Sequence, residues 1–219
     1  MTGLSLSQQI RQESQDAWDR MQQSRFVTDI ENDRLDLDVF KRYLAFENQF
    51  VETAIVIFGY LLVKAPNLET RQRLVKILEA LSGDQIAYFR NAFVALGMEE
   101  AEWKGIYAPP PVAAFRDGIL LAAAHGTYVE GIAAMFAAES MYFTWCARAA
   151  QKPITNPELR DWVDLHAAPD FRAQADWLRA QIDEAGHSMT AEARTGVRLI
   201  FQRALELEID FHDAAYAQA

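Results

Sequence analysis

"GTYVEGIAAMFAAESMYFTWC", residues 126–146, is the stretch whose reading decides the fold. Apolar and small residues run through it with no polar face wide enough for solvent, so it predicts a helix surrounded by other helices. Yet it carries Glu130, Glu139, Tyr142 and Cys146, the last being the only thiol of the chain. Ionisable groups in an apolar setting are costly unless they are paired or have a task. Glu139, Tyr142 and Cys146 fall at i, i+3 and i+7, roughly one face, and Ala138 neighbours Tyr142 at i, i+4. The helix therefore predicts a polar pocket inside a helical protein.

Outward from this stretch nearly everything reads as helix, and nothing alternates convincingly at period two. Residues from about Ser7 to Ser24 form an amphipathic first helix with Ile10, Trp18 and Met21 on its apolar side. Asp36 caps a long helix that runs to about Ala65, where Pro66 stops it. A further helix starts near Leu68, is kinked or broken by "SGD" at 82–84, and ends at Gly97. "APPP" at 108–111 is a connector whose Pro110 or Pro111 can open the next helix. Val112 to Ala150 reads as two helices meeting at Gly126. "KPITNP" at 152–157 is a turn, a short helix carries Trp162 and His166, and the chain restarts at Pro169. Gly186 breaks that helix, and Thr190 caps a last one reaching about Tyr216. The expectation is an all-α fold of about eight helices, one multi-helix bundle domain over residues 1–219 with some helices central.

Composition narrows the function. A net charge of −10 supplies no basic face for a phosphate backbone, so nucleic acid is not an expected partner. One cysteine leaves no internal disulfide framework and no cysteine-rich zinc site, which fits a cytoplasmic protein. The N-terminal residues show no basic segment leading into an apolar run. The longest apolar run, "AIVIFGYLLV" at 54–63, is about half of the roughly 20 residues a membrane span needs, so no membrane is expected.

Beyond the opening helix, Glu47 lies in "YLAFENQFVETAIVIF", His166 in "WVDLHAAP", and Glu208 in "ALELEIDFHDAAY" one turn before His212. Each has a plainer alternative. Glu47 can be solvated, His166 can cap a helix end, Cys146 can be a small buried hydrophobe, and Asp210, His212 and Asp213 can be an ordinary polar face.

Five segments in order, "RFVTDIENDRLDLDVFKRYLAFENQF", "KAPNLET", "AAAHGTYVEGIAAMFAAESMY", "WVDLHAAPDF" and "LELEIDFHDAAY", resemble the TenA family, which includes thiaminase II and has a haem-oxygenase-like helical fold. The first is similar to the family's entrance loop and its "YL.QD..Y" helix, the last to its closing "E..FWD.AY". The resemblance implies a deep pocket for a thiamin-derived aminopyrimidine, with no cofactor and no metal. It implies that the pyrimidine-holding carboxylate falls on Glu47, that Phe50 and Phe115 stand where the family has tyrosines, and that Tyr142 is retained. The family's later tyrosine becomes His166, and its terminal-helix glutamate is retained as Glu208. The nucleophilic cysteine falls on Ala138, whose methyl cannot form a covalent adduct. Cys146 lies about 12 Å further along the axis. A branch of the family lacking that cysteine relies on a glutamate, a part that Glu139 could take. A homo-oligomer, tetramer or dimer, is also implied, and the apolar "AIVIFGYLL" face would suit it.

Three functions compete at this point. One is an aminohydrolase acting on a thiamin-derived amino-heterocycle, with Glu47, Phe50, Phe115, Ala138, Tyr142 and His166 binding the ring and Glu208, Glu139 and Tyr142 serving catalysis. Another is a non-catalytic binding protein for a small aromatic metabolite. The third is a non-haem metal oxidase built from Glu47, Glu139, His166, Glu208 and His212, in which Glu208 and His212 have co-ligating spacing. A haem oxygenase is disfavoured, since that family takes its iron ligand from an N-terminal helix and the first histidine here is His125. Transcriptional regulation finds no support in the acidic composition.

Overall fold

Helix starts in this chain are fixed by side chains that accept hydrogen bonds from otherwise unpaired backbone N–H groups. Asp36 accepts from Asp38 and Val39, Asn67 from Thr70, Asn156 from Leu159, and Thr190 from Ala193. The computed structural model describes residues 3–217, so residues 1–2 and 218–219 of the expected 1–219 domain lie outside it. Among the described residues there are twelve α-helices and no strand.

The helices are α1 Leu6–Glu13, α2 Gln15–Gln22, α3 Arg25–Glu31, α4 Leu37–Lys64, α5 Leu68–Ala80 and α6 Ile86–Ala95. They continue with α7 Glu100–Lys104, α8 Pro110–His125, α9 Tyr128–Ala149, α10 Pro157–Ala167, α11 Pro169–Gly186 and α12 Ala191–Ala214. The quoted stretch is α9, and every residue from Gly131 to Glu139 is buried. It packs against α8, α10, α11 and α12, with α2, α3 and α4 also touching it. Small residues permit this crowding. A Cβ on Gly131 would meet Leu61 Cδ2 at 2.6 Å and Ala123 Cα at 3.2 Å, so α4, α8 and α9 meet only because that side chain is a hydrogen.

The α8–α9 corner is fixed from both sides. Thr127 accepts from Glu130 N while Glu130 Oε2 accepts from Thr127 N at 2.6 Å, a reciprocal cap. Lys64, the last residue of α4, donates to the carbonyls of Ala123, Ala124 and Gly126 at 2.6, 2.9 and 2.6 Å. A cation thereby satisfies the open carbonyl end of α8.

Four features differ from the sequence expectations. The first helix is two, because at Ser14 the chain leaves helical angles (φ −108°, ψ 21°), which lets Ile10 and Trp18 both reach the core. The segment after Ser24, expected as a loop, forms α3, driven by burial of Phe26, Val27 and Ile30. "SGD" does not break its helix: Leu81–Gln85 is a π-helical turn joining α5 directly to α6, and Ser82 Oγ donates to Leu78 O at 2.7 Å within it. The short helix α7, in the stretch between Gly97 and "APPP" for which no helix was expected, is held by the Glu99–Glu102 capping box. In addition, α4 carries an 18-residue window of mean hydropathy 1.3, long and apolar enough to cross a membrane, where the 54–63 run alone suggested none. Half of that window is buried here, and α4 keeps Glu47 and Asn48 inside the protein.

Candidate functional site

Five helices and the π-turn bring polar groups to one buried place. On α4, Tyr43, Glu47 and Phe50 follow one another at i, i+4 and i+7, and all are buried. Facing them on α9 are Met135, Ala138, Glu139 and Tyr142; α10 adds His166, α11 adds Phe171 and Gln174, and the π-turn adds Leu81 and Gln85. Together with Val51, Ala54 and Phe58 these residues enclose a cavity of about 50 Å³. That is room for a few water molecules and well below the size of a pocket that has closed on a drug-sized ligand. A wider recess of about 310 Å³ lies outside it and shares Leu81, Gln85, His166, Phe171 and Gln174 as its inner wall. The extra residue of a π-turn turns the helix, and such turns recur at functional sites. Here it carries two side chains into the mouth.

Tyr142 is the centre of the hydrogen bonding. Its hydroxyl lies 2.7 Å from Tyr43 Oη, 3.4 Å from Glu47 Oε2 and 3.3 Å from His212 Nε2. His212 Nδ1 lies 2.7 Å from Glu208 O. A carbonyl can only accept, so Nδ1 carries the hydrogen and the lone pair of the neutral ring sits on Nε2, toward Tyr142. The Glu208 carboxyl is 3.6 Å from the same Nδ1, and neither of its oxygens has a hydrogen-bond partner. On the other side of the cavity, Gln174 Nε2 donates to Glu139 Oε1 at 2.8 Å, while Glu139 Oε2 has no partner. Unpaired buried oxygens of this kind need a reason, since most buried polar atoms are satisfied.

Burial governs the charge states. It pushes Glu47 up to about 8, held back a little by the Tyr142 hydroxyl. It pushes Glu139 to about 8, against the opposing Gln174 bond and the Arg73 charge. Glu208 is driven well above the carboxylate range by burial and then by the nearby Glu47. His166 and His212 are pushed down to about 4, against the carbonyl bonds that favour their protonated forms. At neutral pH the cluster is thus largely uncharged, with acidic protons on carboxyls and bare lone pairs on imidazoles.

Of the residues expected at the site, Glu47, Phe50, Ala138, Glu139, Tyr142 and His166 border the cavity. Glu47 is not solvated and His166 is not an exposed cap; both are buried. Phe115 and Glu208 do not border it. Phe115 stacks behind Phe50 at 4.4 Å and against Phe211 at 5.0 Å, because α8 lies one layer out. Glu208 is fully buried, within reach of His212 rather than of the cavity. Cys146, on the α9 face of Glu139 and Tyr142, is also fully buried and outside the cavity, and burial pushes its thiol up, away from the reactive thiolate. The donors of the metal-oxidase alternative do not converge: among the described residues no three His, Cys, Asp or Glu stand where one ion would hold them.

Tyr43 and Gln174 were missed as site residues, and His212 was considered only as a metal ligand. His212 reads from sequence as part of a polar face beside Asp210 and Asp213, but α12 turns it inward to full burial. The available signal was its position one turn after Glu208. Tyr43 stands one turn before Glu47, and the same spacing could have found it.

The bundle and its inward carboxyl, phenol and imidazole groups define a protein of the haem-oxygenase-like fold class with a buried polar pocket. Residues 11–218 match the TENA/THI-4/PQQC family, and the chain belongs to that family. An aminopyrimidine aminohydrolase of Halalkalibacterium halodurans is 22% identical over 215 residues, 97% of this chain and 96% of the relative. A solved TenA homologue from Pyrococcus furiosus superposes with a TM-score of 0.89 at 16% identity, over 96% of this chain and all (100%) of the other. A domain of unknown function from Shewanella denitrificans, described as having a heme oxygenase-like fold, gives 0.75 at 12% identity, over 95% and 90% of the two chains.

Proposed function

We propose that this protein binds an aminopyrimidine or related thiamin-derived amino-heterocycle in the α4–α9 cavity and hydrolyses off its amino group. Water adds to the ring carbon that bears the amine, the C–N bond breaks, and the products are ammonia and the hydroxy-heterocycle. The observation that carries this reading is the pair of buried carboxyls, Glu47 and Glu139, on opposite walls of one cavity and both raised to about 8.

A protonated Glu47 matches an amidine edge: its O–H donates to the ring nitrogen and its C=O accepts from the exocyclic amine. Transfer of that proton to the ring nitrogen makes the adjacent carbon electrophilic. Glu139, with Oε1 held by Gln174, has Oε2 free to take a proton from the attacking water in its ionised fraction, and it returns that proton to the departing amine. Tyr142 and Tyr43 fix the Glu47 carboxyl. Glu208 stands off the ring: its backbone carbonyl orients His212, whose Nε2 faces Tyr142, and this replaces the direct acid/base part expected for it. The aromatic walls at Phe50 and His166 suit a flat ring, and the π-turn at the mouth is the segment that must move to admit one. The relative's activity on aminopyrimidines supports the substrate class.

The test is release of ammonia from an aminopyrimidine by the purified protein. Activity that survives Glu47→Gln unchanged would remove the proposed proton donor.

A second reading, ligand binding without turnover, is favoured by one observation. Ala138 presents a methyl to the cavity, and the only cysteine is sealed off. Thermal stabilisation by an aminopyrimidine with no ammonia release would select it. Assembly into a homo-oligomer belongs to the same proposal. Val56, Tyr60 and Val63 form an exposed apolar stripe on α4, and Val63→Glu should lower the mass measured by light scattering.

A further inference from the structure

A second recess lies apart from the cavity just described. It is a groove of about 500 Å³ between α1, α2, α9 and α11, within the range typical of small-molecule sites. It shares two walls with the proposed active site but uses their opposite faces. On α9, Phe136, Ser140 and Phe143 face the groove while Met135, Glu139 and Tyr142 face the cavity. On α11, Arg172, Asp176 and Arg179 face the groove while Phe171 and Gln174 face the cavity.

The groove is basic in an acidic protein. Arg11, Arg172 and Arg179 line it against one carboxylate, Asp176, a surplus of two positive charges in a chain of net charge −10. Arg172 and Arg179 are half-exposed or more, and both lean on Asp176, at 3.6 and 3.3 Å. Exposed pairs of this kind are worth little and yield readily to another anion. Arg11 is different. Its guanidinium lies 3.8 Å from the centre of the buried Trp18 ring. Among the described residues its side chain makes no ion pair or hydrogen bond, and its buried Nε has no partner. A flat cation fixed on an indole with unused donors is preorganised for a bidentate oxyanion. Phe136 and Phe143 supply an apolar floor beside it.

We infer that this groove is a second ligand site, taking a phosphomonoester attached to a flat ring, with the dianion on Arg11, Arg172 and Arg179 and the ring on the aromatic floor. A dianion matches the two surplus charges, which a carboxylate would only half neutralise. The inference does not depend on turnover in the α4–α9 cavity.

The probe is phenyl phosphate, titrated into the intact protein by calorimetry, with phenol, benzoate and inorganic phosphate as comparisons. Phenyl phosphate should bind one to one and more tightly than any of the three, and its affinity should fall as salt rises. Arg11→Met, which keeps an apolar chain of similar girth while removing the guanidinium from Trp18, should weaken it about tenfold. Arg179→Met, at an exposed position that leaves the fold untouched, should weaken it severalfold. Glu47→Gln should leave it unchanged. No saturable binding, equal binding by Arg11→Met and Arg179→Met, equal affinity for inorganic phosphate, or loss of binding in Glu47→Gln would each overturn the assignment.

Discussion

Three residues carry the reading of the site. Glu47→Gln keeps the size and the hydrogen-bonding edge of the side chain but cannot deliver a proton. Ammonia release should fall about 100-fold or more, with the circular dichroism of the helices unchanged. Tyr142→Phe removes the hydroxyl shared by Tyr43, Glu47 and His212. It should destabilise by about 1–3 kcal/mol in urea unfolding, because the partners left behind are buried. Ala138→Cys would put a thiol on the cavity wall. Iodoacetamide should then label position 138 in the folded protein while Cys146 reacts only on unfolding, as mass spectrometry would read. Sequence made Glu47, Glu139 and Tyr142 legible because each is an ionisable group in an otherwise apolar helical run. His212 was legible only as a metal ligand and Tyr43 not at all, for opposite reasons. One has acidic neighbours that suggest solvent, and the other is an aromatic in a helix where aromatics ordinarily fill space.

At the scale of elements, starts were legible and joins were not. Asp36 and Thr190 announce their helices by chemistry that acts within three residues, so a linear reading finds them. Whether "SGD" breaks a helix or bulges it depends on what packs across it, and the π-turn survives because α4 covers its apolar side. A Cβ at Gly83 would meet nothing within 4 Å. Gly83→Ala should therefore stabilise by about 0.5–1 kcal/mol through the backbone alone. If that turn opens to admit ligand, stopped-flow association should also slow. Nothing in the sequence singles out Lys64, near the end of one helix, yet it closes the carbonyl end of another. Lys64→Met should cost about 1–3 kcal/mol in denaturant unfolding, since charged hydrogen bonds to three part-buried carbonyls are lost.

For the whole molecule, the buried acids and imidazoles make stability depend on pH with a definite sign. His166 and His212 titrate near 4 when folded against 6.5 when free, so their burial weakens the fold below 6.5 and ceases to matter above it. Glu47 and Glu139 titrate near 8 when folded against 4.5, so folding holds protons that the unfolded chain has released throughout that interval. Above 6.5 only the carboxyls remain, and stability should fall as pH rises toward 8. Urea midpoints measured across that range should show it, and Glu139→Gln should flatten part of the slope. The helical class was legible from the period of the apolar residues over nearly the whole chain. The layering that puts Phe115 and Glu208 behind the cavity was not, because it depends on which helices are neighbours. That layering also packs indoles around the pocket: Trp145 and Trp162 lie 5.7 and 6.4 Å from the Tyr142 ring, and Trp162 is 3.9 Å from His166. A guest that shifts the phenol, or a proton that settles on the imidazole, alters the surroundings of a natural fluorophore. Occupancy can therefore be followed in emitted light, without a dye and without waiting for a product.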